Sequence, residues 1–302
     1  MKKVLMLNTA NSYLPEVNAY IKYFSENPDF RFYDSKNIKD YRVSDFDIVW
    51  KFMGLDLEKH KELIVVHEYL SLSACYFPGI KNYIKKIKNV KPSLRIFLNE
   101  FIKDEFNFKD KLPFCIRDMG IDDVFFSYVD TNKEYDFVYV GEISNERKIH
   151  ILLDKFKPNG SLSKYKILVI GKPAKNIYCK YKKYSNIIFT GRLEHSDVAK
   201  EASKAIYGVN WVPNKYPYNF QTATKLLEYC AMNLKIITLR TNWSTNFEKK
   251  NTAAFYNLDN INDDLRFSNL ENFFYSIPDV SNLTWQNIIR DSQIYELLKS
   301  II

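Results

Sequence analysis

Short apolar runs rich in Val, Ile, Leu, Phe and Tyr recur along the whole chain, separated by stretches whose apolar residues return at helical spacing. That alternation constrains the fold more than any other feature. Strands joined through helices lie parallel, because each crossover carries the chain back to its starting edge, and the helices then cover both faces of the sheet. In the first half we expect strands at 4–8, 30–34, 46–51, 63–68, 94–99 and 124–128, with helices at 15–25 and 81–89. In the second half strands are expected at 137–141, 166–171, 187–191, 208–213, 235–239 and 253–256. Helices interleave at 146–156, 174–183, 196–203, 224–232 and 270–276. At roughly 100–200 residues per domain, 302 residues make two units, so the pattern reads as α/β with two Rossmann-like parallel-sheet domains. The polar stretch Asp130-Thr131-Asn132-Lys133-Glu134 is the natural linker, which gives domains 1–131 and 132–281. In 282–302, Trp285, Ile288, Ile289, Tyr295, Leu297, Leu298 and Ile301 fall at nearly helical spacing, an amphipathic helix that needs a surface to cover.

With 46% hydrophobic and 26% charged residues, disordered, collagen-like and coiled-coil classes are excluded. No apolar run approaches the roughly 20 residues of a membrane helix, and the run from Val4 is too short for a signal-peptide core. We therefore expect a cytoplasmic protein. Cys75, Cys115, Cys179 and Cys230 stand far apart without companion histidines at ligand spacing, so neither a disulfide framework nor a metal site is expected. The net charge of +8 invites a polyanionic partner, or else records the coding bias of an AT-rich genome. No nucleic-acid module is present, so no nucleic acid is expected as partner. The segment from Lys81 to Lys91 sets Lys81, Lys85, Lys86, Lys88 and Lys91 around Tyr83, Ile84, Ile87 and Val90. Such a basic helix either lies on anionic lipid, at about 1 kcal/mol per lysine, or is a solvated face.

The most informative segment is 212–238. A strand ends at Pro213, a polar and aromatic loop follows, and Thr224 is placed to cap a short helix that leads into the apolar strand from Ile236. This order points the loop and the helix N-terminus at the carboxyl edge of a parallel sheet. Backbone N–H groups and the positive end of the helix suit a phosphate there. Lys225 adds a charge, and Glu228 one turn on is a carboxylate able to take two ribose hydroxyls. The alternative is simply a capped helix with a solvated Lys and Glu.

Thr224-Lys225-Leu226-Leu227-Glu228-Tyr229, with Ala231 and a buried strand behind it, resembles the signature of GT-B glycosyltransferases, especially family four and its relatives. The run from Asp136 through Gly141 to Arg147 is similar to the opening of that family's second domain, and Thr284-Trp285 to the start of its returning helix. The resemblance covers roughly 135–302; the first half matches in strand pattern and in Val65-Val66-His67. It implies a GT-B fold and transfer of a sugar from a nucleotide-diphosphate donor to a glycan or lipid-linked acceptor. Retention, no metal or other cofactor, and a role in bacterial surface polysaccharide or lipopolysaccharide synthesis at the inner face of the membrane go with it. By the resemblance Arg147 is the main diphosphate cation, Lys225 with Thr222 and Thr224 supports it, Gly141 ends the strand beside it, and Glu228 holds the ribose. His67 either faces the reacting sugar or is a satisfied core histidine.

Three positions depart from the family pattern. Phe220 stands where a glutamate is usual, so donor hydroxyls fall to backbone of Phe220 and Gln221. Glu142 stands where a cation is usual, with Arg192 or Lys172 as substitutes. The turn Asn8-Thr9-Ala10-Asn11-Ser12 lacks glycine. Two readings of another kind remain: a non-catalytic sugar-nucleotide-binding or scaffold subunit, and an inverting transferase whose base is His67, Glu68 or Glu100. Asp45-Phe46-Asp47 has the form of a metal-binding motif but sits at a strand entry.

Overall fold

In the computed structural model the described residues are 1–8, 14–60, 62–73, 77–129 and 132–302. They fall into two compact units, Met1–Gly120 with Leu283–Ile302, and Ile121–Asn282. Cys75, the 9–12 part of the glycine-free turn, and Asp130 and Thr131 of the expected linker lie outside the described residues.

The first unit holds β1 (Lys2–Leu7), α1 (Pro15–Tyr23), β2 (Phe30–Asp34), β3 (Ile48–Phe52), β4 (Ile64–Tyr69), α2 (Pro78–Lys88), β5 (Leu94–Phe97), α3 (Glu100–Phe106) and β6 (Phe114–Ile116). Its strands pair in the order β2-β1-β3-β4-β5-β6, all parallel, with Val4 between Phe32 and Ile48. Runs such as Val4-Leu5-Met6 and Ile48-Val49-Trp50 are wholly buried, as strands covered on both faces must be.

The second unit holds β7 (Tyr135–Val140), α4 (Ile149–Asp154), β8 (Ile167–Ile170), α5 (Lys175–Tyr181), β9 (Ile187–Gly191), α6 (His195–Ala202) and β10 (Ala205–Asn210). After them come α7 (Thr224–Ala231), β11 (Lys235–Leu239), α8 (Asn242–Asn251), β12 (Tyr256–Leu258) and α9 (Phe267–Glu271). The order β12-β11-β10-β7-β8-β9 is again parallel throughout. Each unit is thus the Rossmann-like α/β layer expected from the alternation.

The tail returns to the first unit as α10 (Trp285–Asp291) and α11 (Ile294–Ser300). Trp285, Ile289, Ile294 and Leu298 join the core formed by Val17, Tyr20 and Phe24. One continuous helix was expected, and the chain breaks it because Gln293 takes a left-handed φ of 58°. Thr284 does cap α10, accepting from Asn287 N at 3.4 Å.

Other expectations shift for local reasons. Residues 124–128 form no strand: Asp122 accepts from Val124 N at 3.2 Å and opens a 3-10 turn, Asp123–Ser127. Phe125 in that turn is buried against the His195 ring, so 121–128 belongs to the second unit and the division precedes the polar stretch. The helix expected from 146 starts at Ile149, because Lys148 has φ 52°. α3, β6 and α8 were not anticipated.

Candidate functional site

In the second sheet β7 connects outward to β8 while β10 lies on its other side, so the chain's direction of travel reverses between β7 and β10. At such a point the two following loops separate and leave a crevice at the carboxyl edge. A cavity of about 290 Å³ lies there. Gly141 ends β7 with φ 154°, a conformation closed to most side chains, and its carbonyl lies where a Cβ on Gly171 would come within 2.1 Å. Glycine at both positions lets the ends of β7 and β8 approach.

Tyr229 of α7 fixes the other wall. Its ring lies against Gly208, where an added Cβ would meet it at 2.6 Å, and Val140 N donates to its hydroxyl at 3.0 Å. That anchor aims the start of α7 at the cavity. Thr224 does not cap this helix as expected: it is the first helical residue, the cap position is Ala223, and no side chain caps it. Leu226 N and Leu227 N both turn back to Ala223 O.

Of the residues singled out by sequence, Gly141, Arg147, Gln221, Thr222, Thr224 and Lys225 all line the cavity. Glu228 stands behind Lys225 and is 4% exposed; its two oxygens take the Lys225 ammonium at 2.8 and 2.7 Å. Phe220 sits on the 3-10 turn Tyr218–Phe220 and does not line the cavity. Lys172 and Arg192 are exposed beyond β8 and β9, also outside the lining. Arg147 is half-buried, with its guanidinium 4.7 Å from the Tyr218 ring centre and Nε 3.5 Å from Glu142 Oε2. Both cations of the cavity therefore face a carboxylate already. Burial lowers the pKa of His195, and the nearby Glu228 partly offsets this.

Sequence reasoning missed Tyr218, Asn210, Trp211 and Thr241, which also line the cavity. Asn210 and Trp211 stand at the carboxyl end of β10, the same topological position as Gly141 on β7, and that equivalence was the available signal. Thr241 caps α8 through a reciprocal pair with Ser244, a box without the usual Glu or Gln.

In the first unit His67 lies inside β4 and is fully buried, as in the second of the two expected readings, a core histidine. Its Nε2 meets Asp56 Oδ2 at 3.0 Å, and Lys51 Nζ donates to Asp56 Oδ1 at 2.8 Å. Burial pushes the ring pKa down to about 4, so the neutral ring carries its proton on Nε2 toward Asp56. Glu68 is equally buried, tied to Arg117, Tyr20 and Trp50, while Glu100 is exposed beside Lys103. Glu68 is held as a structural counter-ion, not a free base. Asp47 is spent on Lys2 Nζ at 3.0 Å and Lys3 N at 2.8 Å.

Among the described residues no helix is long and apolar enough to cross a membrane. No protein-family model and no curated protein matches the chain. Solved structures do match. Sucrose-phosphate synthase from Thermosynechococcus elongatus aligns over 100% of both chains at 11% identity with a TM-score of 0.69. HepE from Anabaena, solved in complex with UDP and glucose, aligns over 99% of this chain and 100% of its own at 11% identity and TM-score 0.63. WaaG, a glycosyltransferase involved in lipopolysaccharide biosynthesis, aligns over 99% and 98% at 15% identity and TM-score 0.58. The likeness is one of fold: two Rossmann-like units of the GT-B type.

Proposed function

We propose that this GT-B chain is a glycosyltransferase that takes a nucleoside-diphosphate sugar in the β7/β10 crevice and passes the sugar to a glycan or lipid-linked acceptor. The observation that carries this reading is the convergence of Arg147, Lys225, the Gly141 backbone and the start of α7 on one cavity, with Glu228 directly behind. The leaving diphosphate gains negative charge as the glycosidic bond breaks, and the fixed cations Arg147 and Lys225 in a partly enclosed site stabilise it. Glu228 keeps lone pairs beyond those used by Lys225, enough for two ribose hydroxyls. By the sequence resemblance the transfer retains configuration, needs no metal, and serves a bacterial surface polysaccharide or lipopolysaccharide.

One observation favours a second reading. Glu142 pairs with Arg147 in the position where a cation is usual, as in a subunit that binds a sugar nucleotide without turning it over. Thermal shift against UDP, GDP, CMP, ADP and TDP, with and without Mg²⁺, tests the site, because a ligand of the native state raises its stability by mass action. We expect one diphosphate to bind, and Glu228→Ala to abolish the shift. Release of nucleoside diphosphate from a matching donor, depressed by roughly 100-fold in Arg147→Ala with melting unchanged, separates enzyme from binding subunit. No shift with any nucleotide overturns both readings.

A further inference from the structure

α2 is turned the wrong way round for a helix on a soluble body. Its one buried residue is Asn82, whose Oδ1 accepts from Ser73 N at 2.9 Å. Asn89, just past its end, faces inward too, accepting from Asp56 N at 2.8 Å and donating to Gly54 O at 3.3 Å. Lys86 is tied down to Asn107 O at 2.6 Å. The opposite side carries Ile80, Tyr83, Ile84 and Ile87, one stripe at helical spacing, with Phe77 before its first turn. These five are 44% to 72% exposed. A helix ordinarily buries its apolar stripe and solvates the polar one, and here polar side chains fasten it down while the isoleucines point away.

We infer that α2 is a docking element that lies flat on an anionic lipid bilayer, with the stripe in the headgroup–acyl boundary. The charge around the stripe selects this occupant. Exposed Lys81 and Lys88 border it, Lys91 follows, and the helix holds no acidic residue. A second copy of the chain packed through the same stripe would set these lysines against their own counterparts, an arrangement that costs free energy. A surface of phosphodiester headgroups instead pairs with the ammonium groups while the acyl layer takes the side chains between them. At eleven residues α2 is suited to the interface and not to crossing it. This inference is independent of the transfer reading, since it is measured without turnover.

The test is co-sedimentation of the full chain with vesicles of phosphatidylcholine alone and of phosphatidylcholine with phosphatidylglycerol. Two variants accompany it: Ile80→Ser/Ile84→Ser/Ile87→Ser and Lys81→Glu/Lys88→Glu. All five positions are exposed on the outward or flanking surface of α2, and unchanged circular-dichroism melting verifies the fold. We expect partitioning onto the anionic vesicles to exceed that onto neutral ones by roughly tenfold or more, and each variant to lose roughly tenfold. Equal partitioning onto both vesicles, no partitioning, or variants that bind like the parent would overturn the inference. A concentration-dependent dimer in sedimentation velocity that the isoleucine variant abolishes would overturn it in favour of a second copy.

Discussion

Two side chains show what single residues decide. Tyr218 lies under the Arg147 guanidinium, a contact that desolvation strengthens and that holds the cation over the cavity against the pull of Glu142. On the proposed reading Tyr218→Phe keeps the ring and leaves donor affinity within about twofold, whereas Tyr218→Ala weakens it roughly tenfold, which isothermal titration with the identified diphosphate measures. His67 tests the other unit. Its native pKa of about 4 lies below the ordinary value near 6.5, so between those values the unfolded chain binds more protons and stability rises with pH. The contribution, about 3 kcal/mol, is complete above roughly pH 7 and is lost as the pH falls toward 4. Burial alone would raise Asp56, but the hydrogen bond and charge of Lys51 overcome it and hold its carboxyl below the usual range, so its contribution is lost only at still lower pH, below the ordinary carboxylate value of about 3.9. Denaturant titrations from pH 7 to 4.5 should give a flatter stability curve in His67→Gln than in the parent. Equal slopes would mean that the ring titrates freely.

At the scale of elements, helix ends were the hardest feature to foresee. A serine or threonine before an apolar run is a cap only if the chain enters the helix there, and α7 is entered one residue earlier, at Ala223. At Thr284 the same inference holds, because that residue is extended and its side chain turns back to Asn287 N. Between α10 and α11 the break rests on Gln293, exposed and left-handed at φ 58°. It occupies the position after a helix C-cap, where glycine carries no steric penalty. Gln293→Gly should therefore stabilise the first unit by about 1 kcal/mol in equilibrium denaturation. A loss of stability would show that unfolded-state entropy outweighs the relieved strain.

For the whole molecule, the returning tail makes the first unit depend on residues far away in the chain. Trp285 packs so close to Gly120 that an added Cβ there would lie 2.7 Å from the Trp285 Cα, and its ring stands 5.3 Å from the Arg117 guanidinium that neutralises Glu68. Trp285→Ala should cost the first unit about 3–5 kcal/mol and leave the second unit's transition in place, so calorimetry should show one shifted component and one fixed. A common shift of both would mean the units unfold together. The alternation of apolar runs already implied two parallel α/β layers, since a strand buried on both faces has no other composition. Of the cavity residues, Lys225 and the start of α7 were readable because chain order places them at the carboxyl edge, whereas Gly141 and Arg147 were read from the family resemblance. Only the tertiary structure decided that His67 is sealed in a core with Asp56 and Lys51, that Tyr218 and Thr241 reach the same cavity, and that α2 shows its isoleucines to the outside. Those outcomes depend on which elements become neighbours and which way each one is turned, and neither is written in local spacing.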